Sequence, residues 1–239
     1  MPIAIITGAS RGLGEALATG LAGEGWSLVI DARTEADLAA AARGVVERLT
    51  ARQQLRAIAG DVTDPEHRRQ LVAAAEEVGG LDLLINNAGT LGPSPLPELT
   101  VFPLGGLRDA FEANVVAPLA LIQEASELLE RSPQPRVINV TSDASVEGYP
   151  GWGGYGGSKA ALDQISNVLA AERPRWTVWA VDPGDMRTRM HQDAFPGEDI
   201  SDRPEPSTVV PAILSLVASD RPSGRLKLSE LADLAGVTP

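Results

Sequence analysis

The sequence predicts a doubly wound parallel α/β sheet, three layers in α/β/α order, folded as a single domain over residues 1–239. Three observations carry this. Short apolar runs alternate with longer helical stretches along most of the chain. The apolar runs are near-continuous rather than alternating, as expected of parallel strands covered by helices on both faces. A glycine-rich turn joins the first apolar run to the first helix, where such a sheet can hold a phosphate.

In chain order, Ile3–Thr7 is the first expected strand and Leu13–Glu24 the first helix. Strand Ser27–Ala32 leads into helix Glu35–Thr50, strand Leu55–Ala59 into helix Glu66–Val78, and strand Leu83–Asn86 into the long helix Leu107–Glu130. Arg136–Thr141 is the fifth strand, Ser158–Glu172 the next helix, and Thr177–Val181 the sixth strand; Arg225–Ser229 could add a short edge strand. Gly89–Pro103, rich in Gly and Pro, and Phe195–Pro206, mixing Pro, Gly and acids, fit neither pattern. Loops leaving the carboxyl ends of strands border the ligand crevice. Residues 186–206 are long enough to form a mobile substrate lid there.

With 44% hydrophobic and 22% charged residues, the chain can bury a large core and is not a disordered one. Only 4% are aromatic, so Ala, Leu, Val and Ile supply most of that core. A formal net charge of −12 repels nucleic-acid phosphates and anionic membranes, and neither is expected as a partner. Without cysteine there are no disulfides, thiolate metal sites or cysteine nucleophiles, and His67 and His191 are too far apart in sequence to imply a metal site. The opening Met1-Pro2-Ile3-Ala4-Ile5-Ile6 lacks a basic leader, and no stretch is long and apolar enough to span a bilayer. A cytoplasmic location is expected.

Thr7-Gly8-Ala9-Ser10-Arg11-Gly12-Leu13-Gly14 follows the first strand and opens the first helix. Glycines permit a tight turn and let the backbone approach a pyrophosphate, whose charge the helix-start N–H groups can hold. The spacing TGxxxGxG is Rossmann-like, though not the general GxGxxG form. Gly60-Asp61-Val62 follows the third strand, and Asn86-Asn87-Ala88-Gly89 ends the fourth. Asn114 lies in the long helix, Ser142 ends the fifth strand, Tyr155-Gly156-Gly157-Ser158-Lys159 reads YxxxK, and Pro183-Gly184 follows the sixth strand. Over roughly the first four-fifths of its length, the sequence resembles the short-chain dehydrogenase/reductase family in these motifs and in their order. The resemblance implies a nicotinamide-dependent oxidoreductase acting on a small carbonyl or alcohol. It also implies that the cofactor is held by Gly8, Ser10, Arg11, Gly12, Leu13, Gly14, Arg33, Asp61, Val62, Asn87, Ala88, Gly89, Tyr155, Lys159, Pro183, Gly184, Met186 and Thr188.

Hydride transfer to a carbonyl develops negative charge on oxygen, so the site needs a hydrogen-bond donor and a proton source. Tyr155 can be both, but a free phenol has a pKa of about 10. Lys159, at i+4, shares a helix face with it, and its ammonium is expected to lower that pKa. Ser142 offers a hydroxyl to orient the substrate oxygen, and the resemblance adds ribose binding to Lys159. Four residues after Asn114 comes Pro118, which lacks an N–H, so the carbonyl of residue 114 loses its helical partner and a kink is expected. In the family the matching Asn holds a water that relays protons from the Lys. Singly, each of these residues reads as a solvated pair, a core polar group or a strand cap. Together, behind the glycine turn, they form a catalytic set.

Asp31, at the end of the second strand, is positioned to bind the ribose 2′-OH of NAD. In the family, however, the NAD-selecting acid aligns one position later, with Ala32. Basic residues at the positions of Arg11 and Arg33 occur in NADP-preferring members, where they grip the 2′-phosphate. The planar guanidinium suits that task, so NADP(H) is expected ahead of NAD(H), with Asp31 and NAD as the competing reading.

Leu91, Asp143, Glu147, Tyr149, Trp152, Met186, Met190, His191 and Phe195 are expected to line the substrate pocket. Family members pair through the long helices, here Leu107–Glu130 and Ser158–Glu172, which implies a homo-oligomer. The atypical segment Ser223–Pro239 favours a dimer over a tetramer. Two other functions fit the fold: a non-enzymatic nucleotide sensor or scaffold, whose kind typically loses the Tyr or Lys kept here, and a lyase or epimerase without net redox change.

Overall fold

Residues 1–232 are described by a computed structural model; the expectations that reach beyond Ala232, to Pro239, fall outside the described residues. Seven strands form one parallel sheet in the order β3-β2-β1-β4-β5-β6-β7. They are β1 (Ile3–Ile6), β2 (Ser27–Ala32), β3 (Leu55–Ala59), β4 (Leu83–Asn86), β5 (Arg136–Val140), β6 (Thr177–Asp182) and β7 (Gly224–Lys227). Alternate strand residues point to opposite faces, and each face carries its own core. Ala4, Ile6, Ile30, Ile85 and Val181 meet helices α1 (Gly12–Gly23), α2 (Glu35–Val46) and α8 (Val210–Val217). Ile5, Val29, Leu84, Val137 and Val178 meet α3 (Pro65–Val78) and α5 (Ala117–Arg131) on the other face, which α6 (Gly153–Glu172) also joins through Leu169 and Ala170. The expected three layers are present.

The chain runs outward from β1 in both directions, toward β2 and toward β4, so the carboxyl ends of β1 and β4 mark the switch point where loops diverge and a ligand crevice opens. Thr7 staples these two ends: its Oγ1 accepts from the N–H groups of Asn87 and Ala88, each at 3.0 Å, and Asn87 Nδ2 donates back to the Thr7 carbonyl at 2.8 Å.

Several boundaries differ from expectation. Helix α2 stops at Val46, not Thr50, and α6 begins at Gly153, five residues before Ser158. The long central helix is three pieces: α4 (Leu104–Phe111), a π turn (Glu112–Val116) and α5. Where a kink was expected the structure has this π turn, in which Ala117 N–H donates to the Glu112 carbonyl five residues back. The expected lid contains a short helix, α7 (Arg189–Ala194), and α8 was not expected at all. The edge strand covers Gly224–Lys227, one residue earlier than anticipated, and leads into α9 (Leu228–Ala232). Among the described residues no helix is long and apolar enough to cross a membrane.

Candidate active site

The glycine turn is held open by close packing. A Cβ on Gly8 would lie 2.9 Å from Ala88 Cα, and one on Gly14 would strike the Gly8 carbonyl. Gly8 and Gly12 have φ of +69° and +60°, which side chains disfavour. Thr188 sits over Gly12, its Cγ2 3.5 Å from where a Cβ would be, so the loop after β6 faces the turn. Beside the turn lies a crevice of about 380 Å³, lined by Ala32, Arg33, Gly60, Asp61, Val62 and Ala88 among others. Partial burial works against ionisation of Asp61, yet hydrogen bonds from the Thr63 N–H and hydroxyl, with Arg33 nearby, hold its carboxyl below the ordinary value.

Asp31 faces away from solvent. Its Oδ1 accepts from Gly8 N–H at 2.7 Å, its Oδ2 lies 2.9 Å from His67 Nε2, and its carbonyl accepts from Ala9 N–H at 2.8 Å. Burial raises its pKa, and these bonds oppose the rise. One carboxylate oxygen is therefore committed to the glycine turn and the other to His67 on α3. The crevice thus holds Asp61 and Arg33 together, with Arg33 exposed to solvent, beside a glycine turn whose backbone admits no side chain at Gly8 or Gly14.

Tyr155 stands in the first turn of α6, nearly covered, with Trp152 edge-on to its ring at 5.7 Å. Phe195 tilts against Trp152 at 5.8 Å, and Leu91, Ala144, Ala194 and Met190 complete the apolar patch. Ser142 faces the phenol; its Oγ donates to Asp143 Oδ1 at 3.0 Å and accepts from Ala144 N–H at 3.2 Å. Tyr149 OH donates to Asp143 Oδ2 at 3.0 Å, on the exposed rim. Of the residues expected around the substrate, Met186 departs from the group. Its side chain belongs to the core on the α1 and α8 face, because the chain after β6 turns inward there.

The expected electrostatics needs correction. Lys159 is buried, and its Nζ donates to the Val140 carbonyl at 2.8 Å, with the Tyr155 ring centroid 5.7 Å away. Burial lowers its pKa to about 8, with Asp163 opposing. Tyr155 is pushed above the ordinary phenol value by burial, which outweighs the help from Ser142, while Asp182 and Asp143 add to the rise. Desolvation penalises the charged form of both groups, so the neighbouring cation does not prevail here as the helix spacing alone implied.

Asn114, fully buried in the π turn, is satisfied on every side. Its Nδ2 donates to the Thr90 carbonyl at 2.8 Å and to Ser158 Oγ at 2.9 Å, and its Oδ1 accepts from Thr90 N–H at 2.8 Å. It clamps the loop after β4 to α6. A second buried chain fixes α6 to the sheet: Asn86 Nδ2 donates to Asn139 Oδ1, and Asn139 Nδ2 to Ser166 Oγ, both at 2.8 Å. Sequence reasoning missed Asn139, Ser166 and Thr90. The signal for Asn139 was present, since an amide inside an apolar strand must find a partner.

A model of the short chain dehydrogenase family matches residues 2–199, and the chain belongs to that family. It is an oxidoreductase of the class that acts on CH–OH groups or carbonyls with a nicotinamide cofactor. Sepiapterin reductase of Rattus norvegicus is 34% identical over 203 residues, spanning 80% of this chain and 76% of that enzyme. L-xylulose reductase of Aspergillus niger is 33% identical over 207 residues, spanning 79% and 68%. Among solved structures, a short chain dehydrogenase of Shigella flexneri 2a complexed with NADP aligns at a TM-score of 0.88 and 28% identity, covering 95% of this chain and 97% of that one. Another, from Escherichia coli CFT073 and complexed with NADPH, aligns at 0.86 and 29%, covering 95% and 96%.

Proposed function

We propose that the protein is an NADP(H)-dependent reductase of small ketones or aldehydes, running in reverse on secondary alcohols, with Tyr155 as proton donor and acceptor. One observation carries the reading: a buried phenol faces a serine hydroxyl at the carboxyl end of the sheet whose first strand leads into the glycine turn. The nicotinamide, when bound, supplies or accepts the hydride. Ser142 and Tyr155 hold the substrate oxygen between two donors, and the phenol gives its proton as charge develops there. Burial keeps Tyr155 protonated at neutral pH, which suits reduction.

Lys159 binds ribose hydroxyls and supplies positive charge beneath the phenol. Asn114 sets the loop carrying Gly89 and Thr90 against α6, and its main-chain carbonyl in the π turn holds a water that passes protons to Lys159. Gly8 to Gly14 cradle the pyrophosphate, and Thr188 closes over it. Arg33 and Arg11, both exposed beside the turn, take the 2′-phosphate. Residues 186–206 act as a lid, with Phe195 and Met190 covering the aromatic wall.

The test is a panel of ketones and aldehydes with NADPH and NADH, run on wild type and Tyr155→Phe. NADPH oxidation on at least one substrate, falling about 100-fold or more in the variant, is the expected result. No turnover with cofactor binding intact, or equal turnover in both proteins, refutes the assignment.

A further inference from the structure

Strand β7 places Arg225 behind the site, opposite Ala180 in the neighbouring strand, with its side chain 25% exposed. Its Nε donates to Asp163 Oδ2 at 3.1 Å. Its Nη2 donates to the Ser142 carbonyl at 3.0 Å, and it reaches Asp182 Oδ2 at 3.3 Å and Ser145 Oγ at 3.4 Å. Ser145 Oγ closes the ring by donating to Asp163 Oδ2 at 2.6 Å.

Each partner stands next to a group in the cleft. Ser142 carries the hydroxyl that faces Tyr155. Asp163 is one helical turn beyond Lys159 on α6. Asp182 immediately precedes Pro183-Gly184, and its Oδ1 accepts from Gly184 N–H at 3.0 Å. One planar cation therefore joins the three segments that bear Ser142, Lys159 and the loop after β6. A lysine has no such fork and could satisfy only part of the set.

We propose that Arg225 is a positioning residue for catalysis, setting Ser142 against Tyr155 and neutralising the two carboxylates behind the site. The inference rests on the oxidoreductase reading above. The charged groups facing Tyr155 and Lys159 are Asp143 from the loop after β5, Asp182 from β6 and Asp163 from α6, with Lys227 near Asp182. Without the guanidinium, Asp163 and Asp182 lose their nearest cation. The negative field at the phenol rises, and the phenolate required for alcohol oxidation forms only at higher pH.

Arg225→Met and Arg225→Lys, alongside wild type and Tyr155→Phe, are to be assayed in both directions across pH, with NADPH binding and thermal melting measured on each. For Arg225→Met, kcat is expected to fall about 10- to 100-fold, as a small misplacement of reacting groups does. The substrate KM and the NADPH dissociation constant should stay within about threefold, while the rising limb of oxidation moves to higher pH. Arg225→Lys keeps the charge but not the fork, so the limb should return toward wild type with kcat only partly restored. An unmoved limb in a folded Arg225→Met, unchanged kcat, or failure of both variants to fold would make Arg225 a structural bolt and overturn the proposal. A wild type silent on every substrate removes the oxidoreductase reading and this inference with it, whereas an active wild type matched by Arg225→Met removes the inference alone.

Discussion

Asp31 and Arg33 flank the end of β2, and the side on which each emerges bears on cofactor choice. Asp31 points inward and spends both carboxylate oxygens on Gly8 and His67, so a ribose hydroxyl would have to compete with two bonds already made. Arg33 is exposed at the mouth of the crevice, close enough to Asp61 to stabilise its charge. In a chain of net charge −12, Arg33 is a cation exposed at this crevice that a 2′-phosphate could meet. Arg33→Ala is expected to weaken NADPH binding about 10- to 100-fold, the loss of a charge-assisted hydrogen bond of ~1.5–3 kcal/mol. NADH binding should be nearly unchanged. Fluorescence titration with both cofactors measures this, and equal losses for the two would remove Arg33 from the 2′-phosphate.

At the scale of elements, α6 shows why a helix boundary can hide in a sequence. Its first turns contain Gly153, Gly154, Gly156 and Gly157, residues of poor helix propensity, so the sequence placed the start at Ser158. The structure gives three of them a reason. A Cβ on Gly153 would collide with Leu99, one on Gly154 with Phe102, and one on Gly156 with the Ala144 carbonyl. The helix is pressed onto the loop that bears Ser142, which brings Tyr155 within reach of that serine. Gly156→Ala is expected to push α6 away from Ala144, costing about 1–3 kcal/mol of stability as overpacking does. It should lower kcat/KM by more than the folded fraction accounts for. Denaturant unfolding and kinetics on the same sample check this, and wild-type kinetics in a destabilised variant would show the contact to be unimportant for the site.

For the whole molecule, the buried Lys159 couples folding to pH. Its pKa in the folded protein is lowered to about 8 by burial, whereas in the unfolded chain it returns to the ordinary lysine value. Between these values the unfolded chain binds the extra proton, so stability rises with pH through that window. Below about 8 both states are charged and the full desolvation cost is felt. Tyr155 acts in the opposite sense at higher pH. Its folded pKa is raised, so above the ordinary phenol value the unfolded state loses its proton first and stability falls. Lys159→Met should therefore raise stability at neutral pH by about 1–2 kcal/mol, the relief of desolvation less one hydrogen bond to Val140. It should also flatten the rise above pH 8 and abolish turnover. Urea unfolding at several pH values tests all but the last. A destabilised variant would mean that the ammonium is a net support of the fold.

The sequence alone determined the parallel three-layer fold, six of the strands to within a residue, and the order of the family motifs, because these rest on local apolar runs and on short spacings of Gly, Tyr and Lys. Only the tertiary structure decided which way Asp31 faces, where α6 begins, that a π turn precedes Pro118 in the central helix, and that α8 exists in an apolar stretch no motif marks. It alone decided that Lys159 spends its donor on Val140 and that Arg225 reaches Ser142 across 83 positions. Such facts depend on burial and on contacts between segments distant in the chain, and desolvation and long-range hydrogen bonding leave no local pattern to read.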